Sequence, residues 1–345
     1  MSFLAKILSV FVASTNHPAA VVSNAVEETT GISVAIADAN DPVEKDYQKL
    51  MADDDAAHDE VDKWIRDNQS FNAQGGGVPN AELNRRIEDR LKPIRQAYEN
   101  FIAAHPEHAR VRVAYASFLD GLGEEDASME QLEKARELDP KNPAAWNNLA
   151  NYYGEHSPVK KSFEYYAKAI ELNPYEPVYY HNYGTTVYLF RKDAREYFNI
   201  NEQQVFDKAL ELYAKALKLA PDDFPLASDI AQTYYGIKPL RTNDALLAWT
   251  NTLAIAHDEV EREGVHLHLA RLKLNIGRFD EVREHLDAVT NEMYAELKKR
   301  LTRNLNQQEH PTTNTPPAPE DLPPPAAGKI SWKTNALPSN LYRLK

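Results

Sequence analysis

The stretch that decides the fold runs from Pro143 to Pro174 and reads PAAWNNLANYYGEHSPVKKSFEYYAKAIELNP. Large apolar residues recur in its first half at helical spacing, at Trp146, Leu149 and Tyr153, and the same spacing returns in its second half. This pattern predicts two amphipathic helices joined by a short turn. A single helix pair cannot bury its apolar face, so similar pairs are expected to stack on both sides.

The proline that closes this stretch has equivalents along the chain. The segments AAHP, ELDP, ELNP and KLAP end at Pro106, Pro140, Pro174 and Pro221. The first two intervals are 34 residues and the third is 47, which is one interval with 13 extra residues. A weaker equivalent, AIAH, ends at His257. This periodicity predicts about five helix pairs with an insertion near residues 191–203.

The order of residues within each pair resembles the tetratricopeptide repeat. The shared pattern is W-x2-L-A-x2-Y, followed by a small residue, an aromatic residue, an alanine and a proline, and it is most complete in Pro143 to Pro174. The resemblance implies an all-α fold, a right-handed α-solenoid of about five tetratricopeptide helix pairs with an N-terminal helical cap. Small residues are expected where paired helices cross, at Ala116, Ala150, Gly184, Ala231 and Ala270.

The flanking segments complete the predicted organisation. Two amphipathic patterns predict a helical cap over residues 41–108, followed by the solenoid over residues 109–305. Seven prolines between Pro311 and Pro325 predict a disordered tail over residues 306–345. Residues 1–40 begin MSFLAKILSVFVAS, a signal-like or disordered start. Both a cytoplasmic and an exported, periplasmic localisation are left open.

Composition narrows the class of partner. The formal net charge is -13, and ten acidic residues against two lysines between Asp38 and Asp62 account for most of it. Nucleic acid is not expected as a partner, because a phosphate backbone requires a basic face. No stretch reaches the roughly 18 apolar residues of a spanning helix, so no membrane span is expected. The chain has no cysteine, which removes thiolate chemistry.

No motif points to catalysis or to a cofactor. Signatures such as G-x-S-x-G and H-E-x-x-H are missing, so we expect no enzyme, no cofactor and no metal. His266 and His268 diverge by about 200° if they lie on a helix. The acidic run from Asp53 to Glu60 lacks the glycine turn of a calcium loop and predicts a solvated helix face.

The candidate peptide-binding residues lie on the first helix of each pair, which lines the groove in the family that the repeats resemble. They are Arg110, Asn147, Asn148, Asn151, His181, Asn182, Thr185, Tyr188, Ser228, Gln232, Tyr235 and Arg271. WNNLANYY is also similar to repeats of the O-linked N-acetylglucosamine transferase superhelix, where such asparagines are thought to hold a peptide backbone. An amide donates and accepts at once, which suits this role, but bracing a neighbouring helix is an equally open alternative.

The insertion carries a second candidate site. Asn201 and Gln204 resemble a capping box that starts a helix running from Glu202 to Leu219, with a projecting turn before it. The basic cluster in this turn is a candidate docking site for an acidic partner, and a packing brace is the alternative. Its members are Arg191, Lys192 and Arg195.

Together these features predict a non-catalytic scaffold or adaptor that binds a protein or peptide. The alternative is a structural or assembly component of the cell envelope that is exported and contacts itself or its neighbours. Homo-oligomerisation is left open. Trp146 is expected to be a core residue that joins the two helices of its pair.

Overall fold

A computed structural model describes residues 41–73, 75–156 and 158–310. Within these ranges the chain forms fourteen α-helices and two short 3-10 helices, with no strand. The predicted all-α class is therefore confirmed. The expectations for residues 1–40 and 311–345 lie outside the described residues. The helices are α1 (Pro42–Ala73), α2 (Asn80–Ala104), α3 (Ala109–Gly121), α4 (Glu125–Leu138), α5 (Pro143–Glu155), α6 (Val159–Leu172), α7 (Pro177–Leu189), α8 (Arg191–Phe198), α9 (Glu202–Leu219), α10 (Phe224–Thr233), α11 (Thr242–Ala254), α12 (Glu259–Asn275), α13 (Phe279–Asp287) and α14 (Ala295–Glu309).

The chain divides into two compact units, the first ending at Asn182 and the second starting at Tyr183. In the first unit α3 packs on α4 and α5 packs on α6, as the repeat predicts. In the second unit α10 packs on α11 and α12 packs on α13. The small residues of the pattern are buried in each case, and a Cβ atom on Gly184 would lie 2.8 Å from the ring of Tyr213.

Helix boundaries follow from local signals in the sequence. Asn142 caps α5 by accepting a hydrogen bond from the backbone N–H of Ala144, and Pro143 occupies the first turn. A missing N–H costs nothing at that position, since the first N–H groups of a helix have no partner within it. Asp223 caps α10 and Asp258 caps α12 in the same way, through the N–H groups of Leu226 and Glu261.

The N-terminal cap consists of α1 and α2, which correspond to the two amphipathic patterns of residues 41–108. One expectation is wrong here, because the acidic run is not entirely solvated. Asp54 is only 5% exposed and accepts a hydrogen bond of 2.6 Å from the hydroxyl of Tyr98. Nδ1 of His58 lies 2.9 Å from the same carboxylate. The periodicity of one helix could not show that α2 covers this face.

The insertion is also more ordered than a turn. Residues 191–198 form the separate helix α8, which ends at Asn199 in a left-handed conformation with φ of 53°. Helix α9 begins at Glu202, and the capping box of Asn201 and Gln204 is present as predicted. Ala194 on α8 is fully buried, which shows that this segment packs rather than projecting as a simple turn.

Two smaller differences concern the last helix and Trp146. Helix α14 continues to Glu309, so the predicted end of the solenoid at residue 305 falls inside a helix. Trp146 is half-buried rather than a core residue. Its indole N–H donates to the carbonyl oxygen of Pro140 at 2.9 Å, and its ring contacts Tyr165 edge-on at 5.0 Å. Leu149 of the same helix is fully buried instead.

Candidate functional site

A cleft of about 40 Å³ opens in the first unit where α3, α4 and α5 meet. Each helix contributes residues from the end nearest the cleft as well as from its packed face. Two of the predicted candidates, Asn148 and Asn151, belong to the lining. The full lining is Ser117, Asp120, Glu125, Ser128, Leu132, Asn148, Asn151, Tyr152, Glu155 and His156.

Four asparagine side chains form a hydrogen-bonded network behind this cleft. Nδ2 of Asn182 donates to Oδ1 of Asn147 at 3.3 Å and to Oδ1 of Asn151 at 3.2 Å. Nδ2 of Asn147 donates to Oδ1 of Asn148 at 3.0 Å. The hydroxyl of Tyr166 donates to Oδ1 of Asn151 at 2.7 Å. The network ties the first residues of α7 to α5, which is the bracing role that the sequence left open.

These asparagines differ in solvent exposure and in whether they border the cleft. Asn147 and Asn182 are 0% and 1% exposed, so neither amide is accessible to a ligand. For these two side chains the burial favours the bracing alternative over direct contact with a peptide. Asn148 and Asn151 are also mostly buried, yet they border the cleft. Direct contact within the network is therefore restricted to these two side chains.

The amide of Asn151 has an unused donor. Its Oδ1 accepts two hydrogen bonds, from Tyr166 and Asn182. Its buried Nδ2 has no hydrogen-bond partner in the structure. A buried donor without a partner costs about 1–3 kcal/mol.

Acidic side chains surround the cleft. Nε2 of His156 lies 3.1 Å from Oε2 of Glu125, and the ring of His156 stacks on Tyr152 at 4.3 Å. The hydroxyl of Tyr152 donates to Oδ1 of Asp126 at 3.1 Å. Desolvation and this hydrogen bond to a carboxylate both raise the pKa of Tyr152. The hydroxyl therefore stays protonated and keeps its donor role at neutral pH.

Two other candidates of the first unit lie away from the cleft. Nη1 of Arg110 donates to Oε2 of Glu44 at 2.9 Å, and its guanidinium lies 4.5 Å from the centre of the Tyr47 ring. Arg110 thus joins α3 to the N-terminal cap. His181 on α7 is 6% exposed and is not part of the cleft lining.

The second unit holds the other half of the predicted set, and these side chains bond mainly to each other and to their neighbours. Thr185 accepts from the hydroxyl of Tyr213 at 3.1 Å, and Nε2 of Gln232 donates to Oγ of Ser228 at 3.3 Å. The hydroxyl oxygen of Tyr188 lies so close to Gly236 that a Cβ atom added to this glycine would be 1.6 Å from it.

Tyr235 and Arg271 form a stacked pair in the same unit. The guanidinium of Arg271 lies 4.6 Å from the centre of the Tyr235 ring. The hydroxyl of Tyr235 is 3.0 Å from Nδ1 of His268, and the His268 ring stacks on Trp249 at 3.9 Å. Burial and the charge of Arg271 lower the pKa of His268 to about 4, so this imidazole is neutral at pH 7.

The two histidines of the H-x-H pair have different neighbours. His268 contacts Tyr235, whereas Nδ1 of His266 lies 2.8 Å from Nδ1 of His285. Within the described ranges no three metal-ligating side chains come together as a metal site would require. No helix in those ranges has the length and apolarity needed to cross a membrane.

The insertion cluster is spread along α8. The guanidinium of Arg191 stacks near Tyr188 and Phe206, at 5.4 and 5.6 Å from the ring centres, and lies 3.6 Å from Glu202. Lys192 and Arg195 are exposed. The structure therefore leaves two of the three basic side chains on the surface.

Sequence reasoning missed most of the cleft. The residues it did not single out lie at helix ends, at the end of α3, the start of α4 and the end of α5, as Asp120, Glu125, Tyr152, Glu155 and His156 do. The 34-residue period offered one usable signal. Because stacked repeats bring the end of one first helix near the end of the next, the acidic residues close to both ends could have been grouped into one site from the sequence.

Comparison with known proteins identifies one repeat by its sequence. A tetratricopeptide repeat profile matches residues 109–142, which span α3, α4 and the turn before α5. The chain is 27% identical over 137 residues to photosystem I assembly protein Ycf3 of Cyanophora paradoxa, covering 37% of this chain and 79% of that protein. It is 25% identical over 128 residues to the Ycf3 protein of Rippkaea orientalis, covering 34% and 74%.

Solved structures show similar helical arrays at low identity. PilF of Pseudomonas aeruginosa is 17% identical with a TM-score of 0.46, over 73% of this chain and 97% of that chain. YrrB, described as a tetratricopeptide protein with an unusual peptide-binding site, is 14% identical with a TM-score of 0.44, over 63% and 100%. The profile match shows a tetratricopeptide repeat at residues 109–142, and the stacked helix pairs of both units have the arrangement that this repeat predicts.

Proposed function

We propose that this chain is a non-catalytic scaffold that binds an extended segment of a partner protein, and that the cleft between α3, α4 and α5 is one of its contact sites. The observation that carries the proposal is that two side-chain amides, those of Asn148 and Asn151, line this cleft. An amide can bond both the N–H and the carbonyl groups of a peptide backbone. The tetratricopeptide match favours this function over the structural role in the cell envelope.

Asn148 complements Asn151 in this role. Its Oδ1 accepts a hydrogen bond from Nδ2 of Asn147, and a carbonyl oxygen has two lone pairs. A peptide N–H bonded there and a carbonyl bonded to Asn151 would hold an extended backbone without reading its side chains. The two relatives are named as photosystem I assembly proteins, which agrees with a protein-binding role.

Panning a random peptide library on the full-length chain tests the proposal. We expect enriched peptides whose binding falls about tenfold in Asn148→Ala, the effect of one net hydrogen bond. Asn251→Ala is the matched control, because Asn251 is exposed on α11 in the other unit. No enriched peptide, or equal loss in both variants, contradicts the proposal. Circular dichroism of each variant separates loss of binding from loss of fold.

Two surfaces remain proposals of the same kind. In the second unit, the candidates around Tyr235 and Arg271 are half-buried and reachable from solvent. On α8, Lys192 and Arg195 could hold an acidic partner segment. Binding that survives Asn148→Ala but is lost in Arg271→Ala, or in Lys192→Glu with Arg195→Glu at low salt, would transfer the function to the corresponding surface.

A further inference from the structure

The last helix of the second unit, α14, packs through only one of its sides. Leu301 and Leu305 are buried there, in one apolar cluster with residues of α12 and α13. On another side, shallow and polar, side chains recur every three or four residues, which is the spacing of one helix face. We call this side the basic face, because it holds three cations and no carboxylate. Its members are Ala295, Lys298, Lys299, Thr302, Arg303, Asn306, Gln307 and His310.

The three cations of the basic face are not neutralised by close ion pairs. Nζ of Lys298 donates to the carbonyl oxygen of Val289 at 2.8 Å, and this acceptor carries no charge. Nζ of Lys299 lies 3.9 Å from Oε1 of Glu296, but both side chains are largely exposed, so the pair contributes little. In the part of the chain that the structure describes, Arg303 forms neither a hydrogen bond nor an ion pair. The basic face can therefore accept carboxylates.

A surface of opposite charge lies on α1, in the first unit. The exposed residues of one stretch of this helix are alanines and acids, and we call them the acidic patch. They are Ala52, Asp53, Ala56, Asp59 and Glu60. Glu60 pairs with Arg90 at 2.7 Å, whereas Asp53 and Asp59 form no hydrogen bond or ion pair with any described residue. Two of the three carboxylates therefore lack a cation.

The acidic residues of α1 also repel one another. Burial raises the pKa of Asp55 above its ordinary value, and the carboxylates of Asp54 and Asp59 raise it further, while His58 acts against them. A carboxyl group whose pKa is raised by neighbouring carboxylates lies in a negative field that is not compensated. A cation brought to this part of α1 relieves that repulsion.

The two surfaces have dimensions that allow two helices to lie side by side. The cations of the basic face span residues 298–303, and the acids of the acidic patch span residues 53–60. At about 1.5 Å per residue, these spans are about 8 and 11 Å along their helices, so the charges can face each other. Ala295 on α14 and the two alanines of the acidic patch leave room for a close approach, because interaxial distance depends on the side chains at the contact.

We propose that the basic face of α14 binds the acidic patch on α1 of a second copy of this chain. Every copy carries both surfaces, and a contact between two different surfaces can add copies head to tail. The net charge of -13 opposes association of copies in general, so a local pairing of unlike charges is what brings them together. Neither surface shares a residue with the cleft, so the inference does not depend on the proposed function.

Charge reversal followed by mixing tests the pairing. At low salt, sedimentation equilibrium of the full-length chain should give a mass that rises with concentration above that of one copy, and added salt should reverse the rise. Lys299→Glu with Arg303→Glu should abolish the rise, and so should Asp53→Lys with Asp59→Lys, because like charges then meet. Mixing these two variants should restore it, because each variant offers the other a surface of unlike charge.

A matched control changes the net charge by the same amount elsewhere. Lys215→Glu with Lys218→Glu reverses two exposed cations of α9 and should retain the association. Circular dichroism of each variant shows whether it is folded. A wild-type chain that stays monomeric, an equal loss in the control, or a mixture of the two reversed variants that stays monomeric overturns the inference.

A disulfide trap identifies which copies meet, since the chain has no cysteine of its own. A chain with Ala56→Cys, oxidised together with a chain with Ala295→Cys, should give a linked pair. Asn251→Cys, at an exposed position of α11, replaces Ala295→Cys in the control and should give far less. In a chain that carries both Ala56→Cys and Ala295→Cys, links between copies support the inference. A link closed within one monomer overturns the second copy as the occupant of the basic face.

Discussion

Asn148 in the first unit and His268 in the second occupy the same place in their repeats, two residues before the buried alanines Ala150 and Ala270. Asn148 joins a network of amides beside a cleft, whereas His268 is stacked flat on Trp249 at 3.9 Å. Both side chains are polar, and both are largely removed from solvent. The difference shows that one repeat position can serve a hydrogen-bonded brace in one unit and an aromatic stack in the other.

Removing the indole of the second unit should give the largest effect on this comparison. Trp249 is 1% exposed, and Trp249→Ala should lower the free energy of unfolding by about 3–5 kcal/mol, as truncation of a buried aromatic does. Trp146→Ala is the control, since Trp146 is half-buried and should cost about 1–2 kcal/mol. Urea unfolding measures both. A larger loss for Trp146 would contradict the assignment of the aromatic core.

The stacked histidine predicts an acid-sensitive second unit. Desolvation and Arg271 lower the folded pKa of His268 to about 4, below its ordinary value of about 6.5. Stability from its neutral form is full above about pH 6.5 and is lost as the pH falls towards 4, by up to about 3 kcal/mol. Unfolding measured between pH 7 and 4 should show this slope, and His268→Phe should flatten it. An unchanged slope in that variant would assign the acid sensitivity to other groups.

The amide network should respond more moderately. Asn182→Ala removes the donor to Asn147 and Asn151 while their acceptors stay buried, which should cost about 1–3 kcal/mol. Asn251→Ala, at an exposed position, should change stability by less than about 0.5 kcal/mol. If chemical unfolding gives equal values for the two variants, the network does not brace α7 against α5.

The smallest effect concerns His58 and has the opposite pH dependence. Burial lowers its pKa, but the hydrogen bond and charge of Asp54 outweigh burial and raise it above 6.5. The stability it adds is full below about pH 6.5 and is lost as the pH rises through the raised pKa. His58→Asn should remove this alkaline loss without changing the acidic slope of His268, as pH-dependent unfolding would show. If His58→Asn also changed the acidic slope, the two histidines would not be independent.

Much of the fold was predictable because its causes are local. The 34-residue period repeats local helix patterns, the capping box joins Asn201 to Gln204 three positions on, and both predictions are confirmed. The helix from Glu202 to Leu219 has the predicted ends for the same reason. Tetratricopeptide identity likewise follows from spacing within single repeats.

The candidate site was predictable only in part. The sequence placed Asn148 and Asn151 on the right face of α5, and the structure places both at the cleft. It also placed Asn147 and Asn182 on that face, yet both are covered. Periodicity along one helix identifies a face, but it does not say how closely the next helix approaches that face.

What the sequence by itself determined is therefore the helices, their pairing and their caps, because hydrogen bonds within a helix and apolar spacing act over one or two turns. Only the tertiary structure decided that Asp54 is buried under α2, that Trp146 stays half-exposed, and that Nδ2 of Asn151 lacks a partner. Each of these depends on side chains more than ten positions away. Which helices pack together decides which side chains reach solvent, and the sequence of a single helix does not specify the helix that packs against it.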